Sequence, residues 1–397
     1  MTYDFTTVMD RRGHDIIAAD IIPFPDVKVD EGFSAIPMWV ADMSFPTAPC
    51  ILEAMEERLR FPNFGYFREP EAYYRAILDW HRQRKGVTDL TREHIGYENG
   101  VLGGVSSAIR MLTAPGDKIL LHAPVYVGFT HVLKSIGREA VHTKLIRDGK
   151  GVWRMDYEDM DRKLREHKIH LAIFCSPHNP TGRVWEREEI EKAMAVYAAN
   201  DCTVISDEIW SDIIMPGAKH IPTQSVSEDA KARSLAFYAP SKTFSLAGLI
   251  GSYHVVYDPR LRDRLRRESE LSHYNNQNVL SMAALIGAYT RGGPWVDEMC
   301  AVVDGNLRYA CGFIREHFPG VRVMQSQGTY MLFLDCGGWC REHGVPLREL
   351  LARGIRAGVI WQDGESFFWP DSIRLNLALP FSLLQEALER LKRCAFV

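Results

Sequence analysis

HLAIFCSPHNPTGRVWEREEIEKAMAVYAANDCTVISDE, residues 170–208, sets two short apolar runs on either side of one amphipathic stretch. HLAIFCS (170–176) and TVISDE (203–208) have the length and apolar density of strands buried in a sheet. Between them EREEIEKAMAVYAAN (186–200) carries apolar residues at helical spacing, with acids in its first turn where the helix dipole favours them. It reads as a crossover helix. KILLHA (118–123), SLAFYA (234–239) and SYHVVYD (252–258) read as further strands. Alternating strands and helices predict an α/β fold with an open, mainly parallel sheet covered by helices on both faces.

Beyond about residue 290 the pattern changes to a helix, then VRVMQ and TYMLFLDC, then GVIWQ, then IRLNLAL and a final helix, LLQEALERLKRC. That order predicts a smaller α+β domain over 290–397, beside a large domain over 50–289. Residues 1–49 show little periodicity and are assigned to the small unit or to a cleft wall. At 397 residues the chain is long enough for two or more domains and a large core. A net charge of -4 gives no pull toward nucleic acid or an acidic membrane. No run reaches the ~20 apolar residues of a spanning helix, and MTYDFTTVMDRRGHD has no apolar signal core, so a cytoplasmic location is expected. Eight scattered cysteines show no zinc spacing, and no metal site is expected.

Five stretches carry chemistry. PSKTFSLAG (240–248) places Lys242 among small residues where a strand gives way to a loop, and lysine is the side chain that condenses with an aldehyde cofactor. Asp207 ends a buried strand, where ligands gather in parallel sheets. A buried carboxylate needs a partner, and a protonated pyridine nitrogen supplies one; a capping aspartate before a turn is the alternative. SPHNPTGRVW fixes a rigid turn after a strand, from which Asn179 could donate to a phenolate oxygen, although NPTG is also simply a good turn sequence. ENGVLGGVSSAIRML (98–112) is a glycine turn opening a helix, whose free N–H groups suit a phosphate. In HAPVY, Tyr126 follows a strand and could stack on a ring or fill the core.

In this order, the glycine turn, Tyr126, Asn179, Asp207, Lys242 and Arg374 (in SIRLNLALP) resemble the fold type I, aspartate aminotransferase-like family of pyridoxal 5'-phosphate (PLP) enzymes across essentially the whole chain. PMWVADMSFP, GYFREPEAYYRAILDWHRQRKG, CSPHNPTGRVW, SDEIW and APSKTFSLAGL narrow the resemblance to the cystathionine β-lyase-like branch, the MalY and PatB type carbon-sulfur lyases. The resemblance implies that Lys242 is the Schiff-base lysine and that Asp207 pairs with the ring nitrogen. Asn179 then contacts the phenolate, Tyr126 stacks, and Trp210 borders the cofactor. Gly100, Val101, Leu102 and Ser241 are implied to hold the phosphate. Tyr66 is implied to reach it from a partner subunit, giving a homodimer with shared sites. Trp39, Val40, Ala41 and Arg374 are implied to bind the substrate, Arg374 through its α-carboxylate. Ile250 stands where many aminotransferases carry a phosphate-binding arginine, and Trp210 where histidine or tyrosine is usual. The implied activity is α,β-elimination of a thiol from a cysteine S-conjugate, giving pyruvate and ammonia. Amino-group transfer is the runner-up, and a regulatory binding protein on the same fold a third reading.

Overall fold

The computed structural model describes residues 2–272 and 275–397. Among them, seven strands form the central sheet: β1 (Ile95–Glu98), β2 (Lys118–Ala123), β3 (Glu139–Lys144), β4 (Leu171–Cys175), β5 (Thr203–Asp207), β6 (Ser234–Tyr238) and β7 (Ser252–Val255), in the order β1-β7-β6-β5-β4-β2-β3. Strands β3, β2, β4, β5 and β6 run parallel, while β7 is antiparallel to both of its neighbours. Every residue of β4 and β6 is buried. Their unbroken apolar runs follow from helices covering both faces of the sheet.

Helix α1 (Val101–Leu112) begins at Gly100, and helix α2 (Val127–Ser135) begins after Tyr126. Helix α3 (Arg187–Ala199) is the crossover between β4 and β5, and Glu186 and Glu189 close a capping box at its start. Helix α1 lies close against the sheet because Gly104 has no side chain: a Cβ there would overlap the Phe237 ring.

A second sheet is built from β8 (Arg322–Val323), β9 (Met331–Asp335), β10 (Gln362–Asp363) and β11 (Ser372–Asn376), in the order β8-β9-β11-β10, all antiparallel. Helices α4 (Gly293–His317) and α5 (Phe381–Cys394) accompany it. The stretch GVIWQ divides between two partners. Val359–Ile360 pairs in parallel with Ile36–Pro37, and Gln362–Asp363 joins β11. VRVMQ gives only a two-residue strand. All eight cysteines are free, six of them buried. No helix among the described residues is long and apolar enough to cross a membrane.

Candidate active site

The parallel strands deliver their carboxyl ends to one place. Cys175 closes β4 and Asp207 closes β5, and the two are register partners. Just beyond β6 lie Ala239, Ser241 and Lys242, and beyond β2 lies Tyr126. With Ala41, Gly100, Val101, Leu102, Asn179 and Trp210, these side chains and backbone groups line one cavity of about 210 Å³. Ligands favour this location because strand ends and helix starts meet there.

Gly100 has φ +79°, a conformation that L side chains rarely adopt, and it is the N-cap of α1. The first turn of α1 therefore offers backbone N–H groups to the cavity, as a phosphate requires. Tyr126 is half-buried at the start of α2, its ring edge-on to Phe129 at 5.4 Å. Gly128 makes this possible, since a Cβ there would overlap the Tyr126 ring and lie 2.9 Å from Leu102. Replacing Gly128 by alanine is expected to raise the dissociation constant of a planar ring ligand about tenfold, at a stability cost of about 1–3 kcal/mol, by pushing Tyr126 out of its rotamer. Titration of ring ligand by fluorescence, alongside urea unfolding, measures both.

Asp207 is buried, and its Oδ1 accepts one backbone hydrogen bond, from the Ile209 N–H at 3.1 Å. Burial pushes its carboxyl up to about 7, against the downward pull of that N–H and of Lys242. Such a carboxylate is short of positive partners, and a protonated ring nitrogen fits it. Lys242 donates to the Ala41 carbonyl at 2.8 Å, and its ammonium lies 5.8 Å from the Trp210 ring centre. Burial first, and the Arg374 charge second, lower its pKa to about 8, while Asp42 and Asp207 oppose the shift. In cofactor-free protein, Lys242 is therefore expected to react with an amine-directed reagent with a midpoint near pH 8. Exposed lysines respond near about 10.4. Peptide mapping of the modified protein across pH reads the difference.

Arg374 on β11 is buried, and its Nη1 donates to Asn179 Oδ1 at 3.0 Å. Guanidinium only donates, so this bond fixes the Asn179 amide with Oδ1 toward Arg374 and leaves Nδ2 to donate elsewhere. Arg374 Nη2 donates to the Trp39 carbonyl at 2.9 Å and to Gln362 Oε1, while its buried Nε has no hydrogen-bond partner. A carboxylate suits that remaining capacity. Trp210 is buried edge-on to Tyr330 at 4.8 Å. Tyr66 stands apart from the cavity, fully solvent-exposed at 112%.

Sequence reasoning left out of the site Cys175, Ile209, Ala239, Ala247 and Gly251, all of which line the cavity, and Gly128, which supports Tyr126. Ile250, noted only as a departure, also lines it, in a left-handed conformation at φ +53°. For Ala239 and Ala247 the signal was nearness to Lys242; nothing marked the others.

The sequence profile of the aminotransferase class I and II family matches residues 36–391. The chain belongs to this family. As a class I and II member it is similar to cystathionine β-lyase PatB of Bacillus subtilis (strain 168), at 34% identity over 361 residues, covering 90% of this chain and 92% of PatB. It is also similar to the protein MalY of Escherichia coli (strain K12), at 28% identity over 393 residues, covering 97% and 96% of the two chains. Among solved structures, the PLP-bound C-S lyase from Staphylococcus hominis superimposes with a TM-score of 0.90 at 30% identity, over 100% of this chain and 99% of that one. This class I and II fold therefore extends over both sheets described above.

Proposed function

We propose that this chain is a PLP-dependent carbon-sulfur β-lyase that releases a thiol, pyruvate and ammonia from an L-cysteine S-conjugate. The observation that carries the reading is one small cavity lined by a half-buried amine of lowered pKa and a buried, partner-poor carboxylate, with a helix start beside them. Likeness to PatB over nine-tenths of the chain favours elimination over amino-group transfer.

PLP, when bound, supplies an aldehyde that condenses with amines and a ring that withdraws the electron pair left at the substrate's α-carbon. In this reading Lys242 anchors it, Asp207 keeps the ring nitrogen protonated, and Asn179 Nδ2 donates to the ring oxygen. Gly100, Val101, Leu102 and Ser241 hold the phosphate, Tyr126 covers the ring face and Trp210 borders it. Arg374 binds the α-carboxylate, with Trp39, Val40 and Ala41 alongside. Lys242 Nζ would be the base that takes the substrate's α-proton. Its lowered pKa makes the neutral, proton-accepting amine accessible near pH 8. Lys242 would then give that proton to the departing thiolate, so that the C–S bond electrons leave as thiol and, with one water, the remainder of the substrate ends as pyruvate and ammonia.

The full exposure of Tyr66, with exposed Phe61 and Phe64 close by in the chain, supports a homodimer in which Tyr66 serves the other copy's phosphate site. The test is incubation with L-cystathionine and no keto acid, following pyruvate, ammonia and thiol. Equal release of all three over many turnovers is expected. No release, with rapid amino transfer once 2-oxoglutarate is added, makes the chain an aminotransferase.

A further inference from the structure

Residues 38–44, MWVADMS, form an irregular strap beside the cavity, and its backbone carbonyls serve the site's two cations. The Trp39 carbonyl accepts from Arg374 at 2.9 Å, and the Ala41 carbonyl accepts from Lys242 at 2.8 Å. Both groups are thus aimed by one short segment, two residues apart. Where those carbonyls sit depends on what holds the strap. Its ends hydrogen-bond to backbone, Met38 N–H to the Ile360 carbonyl at 2.7 Å and Ser44 N–H to the Ala378 carbonyl at 2.9 Å. From one side, Asn376 Nδ2 donates to the Val40 carbonyl at 2.7 Å and to that of Asp42. From the other, Arg11 binds both carboxylate oxygens of Asp42, at 3.1 and 2.9 Å, together with the Met43 carbonyl at 3.2 Å and Ser44 Oγ at 2.9 Å. One guanidinium therefore takes four acceptors on three consecutive strap residues, and its side chain is only 10% exposed. Neither Arg11 nor Asp42 lines the cavity itself.

We propose that Arg11 and Asp42 are positioning residues: their ion pair clasps the strap so that the Trp39 and Ala41 carbonyls hold Arg374 and Lys242 in register for the incoming amino acid. The proposal rests on the PLP-enzyme reading of the cavity. A looser strap leaves both cations a wider range of orientations, so substrate binding and proton transfer suffer together. Asp207 and Gly100 lie on other elements and keep their places at the ring nitrogen and the phosphate, whereas Asn179 is linked to the strap through Arg374.

The test uses holoenzyme carrying Arg11→Met, Asp42→Asn, or both. Each single change is expected to lower kcat/KM about tenfold, with KM raised and kcat lowered, and the double change to cost no more than either one. PLP affinity falls by less than about threefold, melting temperature drops by about 2–8 °C as the clasp's hydrogen bonds are lost, and amide exchange over residues 38–44 accelerates in all three variants. Additive losses, a kcat/KM within twofold of the parent, or unchanged amide exchange overturns the proposal. So does loss of PLP affinity in step with activity, which marks the pair as general scaffold. Should the parent transfer amino groups rather than eliminate thiols, the same comparison is made on that rate, so failure of the clasp is read separately from failure of the lyase assignment.

Discussion

Replacing Lys242 by alanine lowers thiol release by about 10⁴-fold, because one side chain supplies both the anchor for the cofactor and the base for the α-proton. The effect is chemical rather than structural. In the folded chain Lys242 gives up a single hydrogen bond, to the Ala41 carbonyl, and the loss costs about 1 kcal/mol. The cation it removes is already disfavoured, as its lowered pKa shows. Melting temperature should therefore change little while turnover collapses. Arginine does not rescue the activity, since a guanidinium stays protonated throughout the accessible pH range and cannot take the proton. Steady-state pyruvate release from the alanine and arginine variants, with thermal melts of each, checks this. A variant that retains a tenth of the parent rate contradicts the role given to Lys242.

Asp207→Asn keeps the size of the side chain and an oxygen for the Ile209 N–H, and removes only the charge. Against a protonated ring nitrogen, loss of that charge leaves a buried cation without its partner, a loss of about 3–5 kcal/mol, or roughly two to three and a half orders of magnitude in kcat/KM. Cofactor-free protein should respond in the opposite direction. Burial raises the folded-state pKa of Asp207 to about 7, while an unfolded aspartate titrates near 3.9. Between those two values the folded state binds the extra proton, so this group lowers stability as pH rises through the window, and above about 7 the full penalty is present. Asparagine removes that penalty. The variant without cofactor should melt higher than the parent at pH 8 and like it at pH 4, whereas with PLP bound the order at pH 8 reverses. Thermal melts at the two pH values, with and without PLP, read both signs. A destabilised cofactor-free variant at pH 8 would mean that the carboxylate has a structural partner.

Much of this was legible in the sequence because parallel α/β sheets write themselves as buried apolar runs with turns at their carboxyl ends. KILLHA matches β2 residue for residue, and Asp207, Lys242 and Tyr126 lie at strand ends, where such a sheet gathers its ligands. Other features depend on tertiary placement. The strand Val359–Ile360 has its partner, Ile36–Pro37, more than 300 residues away, and no local pattern announces that pairing. Gly128 gives no local signal either, because its purpose is the space it leaves for a ring two residues earlier. The orientation of Asn179 is likewise set by Arg374, which arrives from the other sheet. Arg11 and Arg12 are neighbours with no local feature to tell them apart; the fold packs the first against Asp42 and leaves the second in solvent.

The central claim is that PLP is held on Lys242, and reduction of the loaded protein tests it most directly. The protein is saturated with PLP, treated with borohydride, digested and mapped by mass spectrometry. Bleaching of the yellow colour and one stoichiometric pyridoxyl adduct, on Lys242, are expected. No visible absorbance on adding PLP, or an adduct spread over other lysines with Lys242 unmodified, would contradict that claim.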